Sequence, residues 1–119
     1  MKACDVLLIE PHTDTREALK ELFELMDSLS VVAVEDGLQA LESLKETRPK
    51  IILMDYHIPK INGEDFLTIK ANDPEICCIP LIVMTTLPKK VEMMKADFSE
   101  MIKKPFELED FWSCIQKYL

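Results

Sequence analysis

Short apolar runs alternate along this chain with longer stretches in which apolar residues recur every three or four positions. The apolar runs predict five strands, at residues 5–10, 30–34, 51–55, 80–84 and roughly 99–103. The longer stretches predict helices between the strands and a last helix from about Leu108. Strands that alternate with helices are typical of βα units around a parallel sheet. The pattern therefore predicts an α/β fold.

Turn-forming residues set the expected ends of the helices. The first helix is expected from about Asp14 to Met26. Asp36 is placed to begin the second, which Pro49 is expected to end. Asn62 and Gly63 form the turn into the third. No repeat or linker interrupts this order, so residues 1–119 are expected to form one domain.

Length and charge narrow the possible partners. The chain has 119 residues and a formal net charge of −8. Such an acidic protein is a poor non-specific ligand for nucleic acid or for an anionic membrane. No apolar run approaches the roughly 20 residues that span a bilayer, and the N-terminus lacks the apolar segment of a signal peptide. A cytoplasmic protein with neither nucleic acid nor membrane as a direct partner is expected.

Four cysteines are present, and their spacing is not that of a metal site; they are Cys4, Cys77, Cys78 and Cys114. We expect reduced thiols, as in most cytosolic proteins. The adjacent pair could be redox-active, although a disulfide between neighbouring residues strains the intervening peptide.

Three polar residues stand where predicted strands end. Asp55 follows an apolar run, Thr85 closes the next, and Lys104 follows the last. Open α/β sheets carry their chemistry at the carboxyl ends of the strands. A carboxylate, a hydroxyl and an ammonium meeting there suit a phosphoryl group held covalently on the aspartate.

Several short motifs in this order resemble the receiver domain of two-component response regulators, in particular the chemotaxis-regulator type. They are Val6-Leu7-Leu8-Ile9-Glu10, Asp36-Gly37, Ile51-Ile52-Leu53-Met54-Asp55, Ile58-Pro59, Asn62-Gly63, Val83-Met84-Thr85-Thr86 and Lys104-Pro105-Phe106. The resemblance implies a flavodoxin-like (βα)5 three-layer sandwich with strand order 2-1-3-4-5. It makes Asp55 the phosphoacceptor, Thr85 the switch hydroxyl and Lys104, before a cis proline, the lysine that contacts the phosphoryl group.

The metal site of the family is altered in this sequence. The family binds Mg²⁺ through the second of two adjacent acids, the acceptor aspartate and a backbone carbonyl two residues beyond it. The last two positions are Asp55 and His57, but the acidic pair reads Glu10-Pro11. Proline has no carboxylate, so Glu10 would have to bind weakly or through water. The resemblance therefore implies weak Mg²⁺ binding.

The output region also departs from the family. The family often has an aromatic residue three positions before the lysine, where it moves together with the threonine, and Met101 stands here. The segment between Thr85 and Lys104 is shorter than usual, with Pro88 near its start. A short fourth helix is expected. The surface formed by the fourth helix, the fifth strand and the fifth helix is therefore expected to differ from that of the family.

Two functions remain open, and neither is that of an enzyme. One is a phosphoacceptor that takes its phosphoryl group from a sensor histidine kinase or phosphotransfer protein and signals to an unidentified downstream protein. The other is a pseudo-receiver that binds proteins without phosphorylation, which Pro11 and Met101 favour. A dehalogenase-type phosphatase and a flavodoxin fit poorly, because the first needs a DxD motif and the second a phosphate-binding loop after the first strand. A transition-metal site at His12 and His57 has little support.

Overall fold

The computed structural model describes residues 2–94 and 97–119. Its strands are β1 (Lys2–Ile9), β2 (Val31–Val34), β3 (Thr47–Asp55), β4 (Leu81–Thr85) and β5 (Glu100–Lys103). Its helices are α1 (Thr13–Asp27), α2 (Gly37–Leu44), α3 (Gly63–Ala71), α4 (Pro88–Glu92) and α5 (Leu108–Gln116). In these residues no helix is both long and apolar enough to cross a bilayer.

The five strands form one parallel sheet in the order β2-β1-β3-β4-β5. The predicted flavodoxin-like α/β fold is therefore confirmed. Residues 6–9 of β1 pair with β2 on one side and with residues 51–54 of β3 on the other. These residues are almost all aliphatic and fully buried, as expected of strands covered by helices on both faces of a sheet.

Alternate residues of each strand point to opposite faces and supply two separate cores. One core combines Leu7 and Met54 with Phe66 of α3. The other combines Leu8 with Phe23 of α1 and Phe111 of α5. The helices therefore lie in two layers around the sheet, which gives the three-layer arrangement.

Pro49 does not end α2, and that expectation was wrong. The helix ends at Leu44, and Pro49 lies inside β3, where it pairs with Cys4 of β1. Pairing between β3 and β4 begins only at Ile52, so β3 has β1 as its one partner strand at Pro49. Proline has no backbone N–H to donate. It can be accommodated at this position because no strand pairs there on the side of β3 that β4 later occupies.

The turn between β3 and α3 requires a close approach of two backbone segments. Asn62 caps α3 by accepting a hydrogen bond from the Asp65 N–H at 2.8 Å. A Cβ atom on Gly63 would lie 2.5 Å from the carbonyl oxygen of Tyr56. Only glycine allows this approach, which holds the N-terminus of α3 against the end of β3.

Candidate functional site

Four polar residues meet at the carboxyl edge of the sheet. Asp55 and Thr85 are the last residues of β3 and β4, while Glu10 and Lys104 directly follow β1 and β5. Ile9 pairs with Met54, so Glu10 and Asp55 leave neighbouring strands side by side. The sequence predicted this common edge for all four residues.

The Lys104 side chain connects the two carboxylates. Its Nζ lies 2.5 Å from Oδ2 of Asp55 and 3.0 Å from Oε1 of Glu10. Glu10 is fully buried and Asp55 nearly so. Burial by itself lowers the pKa of Lys104, but the hydrogen bonds and attraction from Asp55 and Glu10 outweigh it, and the pKa is raised. The lysine therefore stays protonated between two anions.

The remaining carboxylate oxygens accept hydrogen bonds from nearby loops. Oδ1 of Asp55 accepts the backbone N–H of His57 at 2.8 Å. Oε2 of Glu10 accepts the backbone N–H of His12 at 3.1 Å and lies 3.2 Å from Nδ1 of the same residue. Every carboxylate oxygen of the two acids thus has a donor, which explains how two anions are tolerated in a buried position.

Thr85 is fully buried at the end of β4, and its hydroxyl oxygen has a partner in the loop that follows. The hydroxyl oxygen accepts the backbone N–H of Leu87 at 2.8 Å. The Thr85 carbonyl accepts the backbone N–H of Lys104 at 2.7 Å, and the Lys104–Pro105 peptide bond is cis, as the resemblance implies. The structure therefore fixes the start of the Lys104 side chain through Thr85.

Met101 and α4 occupy the region in which a switch was expected. Met101 pairs with Val83 of β4, is partly buried, and packs against the core that includes Val91 of α4. The helix α4 has five residues. The prediction of a short fourth helix is confirmed, and the role of Met101 as a switch stays a prediction.

His12 and His57 lie at the exposed rim of the site. Across residues 2–94 and 97–119, no group of three or more histidine, cysteine or acidic side chains is arranged to hold a metal ion. The transition-metal site considered from the sequence therefore lacks a set of ligands. His12 instead serves as a hydrogen-bond partner of Glu10.

Arg16 contributes to the site and was missed by the sequence analysis. Its guanidinium donates to the carbonyl oxygens of Glu10 at 2.9 Å and Pro11 at 3.4 Å. It thereby fixes the loop that carries the buried acid. A cation in the first turn of a helix opposes the helix dipole, and the sequence pattern alone reads Arg16 as a surface charge, so it gave no sign of these acceptors.

The comparison with protein families identifies the family of this chain. The family model described as the response regulator receiver domain matches residues 6–116. This chain belongs to that family. The predicted membership is confirmed, and the chain is a receiver domain of the kind found in two-component signalling.

Relatives of known identity agree with this assignment. The polar-differentiation response regulator DivK of Brucella anthropi is 26% identical over 117 residues, which cover 96% of this chain and 94% of DivK. The receiver domain of a signal transduction histidine kinase from Syntrophus aciditrophicus has the same fold, with a TM-score of 0.89, 24% identity and coverage of 98% and 89%.

Another structure with the same fold carries a metal ion. The receiver domain of a sensor histidine kinase from Pseudomonas aeruginosa superposes with a TM-score of 0.82, 24% identity and coverage of 98% of this chain and 97% of that one. That structure holds a magnesium ion in its active-site cleft.

Proposed function

We propose that this receiver domain acts in the cytoplasm and accepts a phosphoryl group on Asp55 from a histidine kinase or phosphotransfer protein. The observation that carries the proposal is the contact of Lys104 with Asp55 at 2.5 Å, at the end of β3. A carboxylate held beside an ammonium at a strand end can act as a nucleophile and has a cation ready for the incoming charge.

The transfer is an in-line displacement on phosphorus. An oxygen of Asp55 forms the new bond to phosphorus while the bond to the donor's leaving atom breaks. The ammonium of Lys104 can turn from the carboxylates towards the transferred oxygens. Because Lys104 already has a raised pKa, it brings a full positive charge to that step.

Thr85 would report the phosphorylation to the surface. Its hydroxyl oxygen now accepts the Leu87 N–H. The hydroxyl keeps its own proton for donation to a phosphoryl oxygen, and that new bond would draw the hydroxyl inwards together with the β4–α4 loop that it holds. Binding of the phosphoryl group thus favours a second conformation of the surface formed by α4, β5 and α5, including Met101, where a downstream protein would bind.

Magnesium fits this site only in part. Mg²⁺ prefers oxygen ligands and often uses one or two carboxylates plus phosphate oxygens. Asp55 and the carbonyl of His57 can supply two ligands, whereas Pro11 supplies none. The two carboxylate oxygens of Glu10 already accept hydrogen bonds from Lys104 and His12. Glu10 would therefore bind Mg²⁺ weakly or through a water molecule. A bound Mg²⁺ would neutralise charge on the phosphoryl oxygens, and weak binding is expected.

The proposed role is that of a phosphoacceptor, and no reaction on a separate substrate is assigned. The net charge of −8 supports protein partners over direct binding to nucleic acid or an anionic membrane. The second candidate, a pseudo-receiver, is favoured by Pro11, which leaves the site without one of the carboxylates through which the family binds Mg²⁺.

One experiment separates the two functions. The protein is incubated with acetyl phosphate and Mg²⁺, and its intact mass is measured. We expect one phosphoryl group on the wild type and none on Asp55→Asn, whose thermal midpoint should change little. An adduct that persists on Asp55→Asn would contradict the assignment of Asp55. If the wild type stays unmodified with acetyl phosphate, and also with a phosphorylated phosphotransfer protein as the donor, the pseudo-receiver is favoured.

A further inference from the structure

Two adjacent cysteines lie at the opposite edge of the sheet from Asp55. Cys77 and Cys78 belong to the segment between α3 and β4, and both are exposed. Their sulfur atoms are 3.7 Å apart. The two thiols are therefore in direct contact and open to reagents in solution.

A buried lysine stands behind this pair. Lys70 of α3 is 8% exposed, and its Nζ donates to the carbonyl oxygen of Cys77 at 3.0 Å. Burial lowers the pKa of Lys70, and the two thiols oppose that effect. In the part of the chain that the structure describes, no carboxylate lies within 4.0 Å of this ammonium.

The lysine and the two thiols line one cavity. Its volume is about 210 Å³, and Asp97 also lines it. An ammonium near a thiol stabilises the thiolate, which is the reactive form. The cavity offers room for a small reagent to reach the sulfur atoms.

The two thiols are not equivalent. Cys77 lies 3.7 Å from both the carbonyl oxygen of Pro74 and the sulfur of Cys78. Its pKa is raised, first by the hydrogen bond with Cys78 and then by burial. The Cys77 thiol donates its proton to the carbonyl oxygen of Pro74, which favours the protonated form of this thiol. In the described residues Cys78 has no such carbonyl acceptor, and it is the thiol assigned to attack.

We propose that Cys77 and Cys78 form a thiol–disulfide exchange site for low-molecular-weight disulfides of the glutathione type. The Cys78 thiolate attacks one sulfur of the disulfide, forms a mixed disulfide and releases the first thiolate. Cys77 then loses its proton and attacks the sulfur of Cys78, which releases the second thiolate. Two protein thiols are oxidised, the small disulfide is reduced to two thiols, and these take up the two protons.

The product would be easily reversed. Adjacent Cα atoms across a trans peptide are about 3.8 Å apart, which is shorter than the roughly 4.4–6.8 Å of ordinary disulfides. The resulting strain makes the bond more reducible, and strained exposed disulfides are the labile ones. A disulfide at this site would be a reversible modification rather than a structural crosslink.

Glutathione disulfide is the probe for the test, with intact mass and peptide mapping as readouts. We expect the wild type to lose two hydrogen atoms and to carry a bond between Cys77 and Cys78. Cys77→Ser should stop at a mixed disulfide on Cys78, and Cys78→Ser should react several-fold more slowly. The double variant should not react under native conditions, because Cys4 and Cys114 are buried. A wild type that ends as a stable mixed disulfide, or equal rates for the two single variants, would overturn the proposal.

Lys70 is a positioning residue in this scheme, and it needs its own measurement. In the Cys77→Ser background, Lys70→Met should shift the pH profile of the reaction upwards. The rate at neutral pH should then fall several-fold, although by less than the loss of thiolate, because the less acidic thiol is the stronger nucleophile. Lys20→Met on α1 is the control and should leave the profile unchanged. An unshifted profile in Lys70→Met would remove the lysine from the proposal. Asp55→Asn should exchange as the wild type does, so this test is independent of phosphorylation.

Discussion

The Nζ of Lys104 lies 3.0 Å from Oε1 of Glu10, although β3 and β4 separate their two strands in the sheet. The lysine reaches across the edge of the sheet to a carboxylate that is completely buried. The only acid that remains of the family's usual pair is therefore neutralised by the lysine that the phosphoryl group would use.

The Lys104–Glu10 contact predicts a large coupling between the two residues. Lys104→Met should lower the free energy of unfolding by about 2–4 kcal/mol, because it leaves buried carboxylates without their cation. Glu10→Gln should lower the free energy of unfolding by less in the Lys104→Met background than in the wild type, and the difference should be about 1–3 kcal/mol. Urea unfolding of the four proteins measures this cycle. Lys103→Met, at an exposed neighbouring position, is the control, and additive costs would show that the contact contributes nothing.

Pro11→Asp should restore a strong magnesium site. It adds a carboxylate at the position where the family has its second acid. Even partners behind the direct ligands typically change metal affinity 10–100-fold, so Mg²⁺ binding should tighten by at least about tenfold. Stability without metal should fall, because a third carboxylate adds repulsion. Calorimetric titration with Mg²⁺ tests both proteins, with Pro11→Ala as the control. Equal affinity in Pro11→Asp and the wild type would mean that Pro11 does not limit the site.

Gly63→Ala should destabilise the turn that follows the phosphoacceptor strand. The added Cβ would lie 2.5 Å from the carbonyl oxygen of Tyr56, a backbone atom that can move only if β3 or α3 moves. A loss of about 1–3 kcal/mol is expected, as for other overpacked positions. Denaturant unfolding measures it against Glu64→Ala, an exposed neighbour on the same helix. If the two variants are equally stable, the turn tolerates the shift.

Cys114 should make the protein less stable as the pH rises from about 9 to about 11. Burial, followed by the charge of Glu100, raises the pKa of this thiol from 9.0 to about 11. Above pH 9 the Cys114 thiol is deprotonated in the unfolded chain but stays protonated in the folded protein. Raising the pH therefore favours the unfolded chain, and the free energy of unfolding falls between about pH 9 and about pH 11. The wild type should lose up to about 2 kcal/mol more than Cys114→Ala between these pH values. Unfolding curves at pH 8, 9, 10 and 11 would show it, and parallel pH profiles would contradict it.

The sequence by itself determined the class of fold and the edge at which the chemistry lies. Apolar runs and turn residues are local properties, and they located the parts of β1, β3 and β4 that are buried on both faces. They missed the starts of β1 and β3, which begin at Lys2 and Thr47. Polar residues at the ends of those runs must share one edge in a parallel sheet. That rule predicts from the sequence that Asp55, Thr85 and Lys104 lie close together.

Local pattern was less informative where the surroundings of a residue decide its conformation. Pro49 is a helix terminator by propensity, yet it sits in β3 because its neighbour strand β4 has not begun there. Arg16 reads as a surface charge on α1, yet it binds the carbonyls of the site. Neither result could be read from the residue type alone.

Only the tertiary structure decided how the charges pair. Lys104 and Glu10 are 94 positions apart, and their hydrogen bond depends on the strand order and on the side-chain directions at the sheet edge. The same holds for Lys70, which meets Cys77 through the fold of the segment after α3. Periodicity along the sequence specifies which residues are buried. The partner of a buried charge is set by the packing of distant segments, because a buried charge needs a partner wherever the fold places it. That packing pairs Lys104 with Glu10 and Lys70 with Cys77 in this protein.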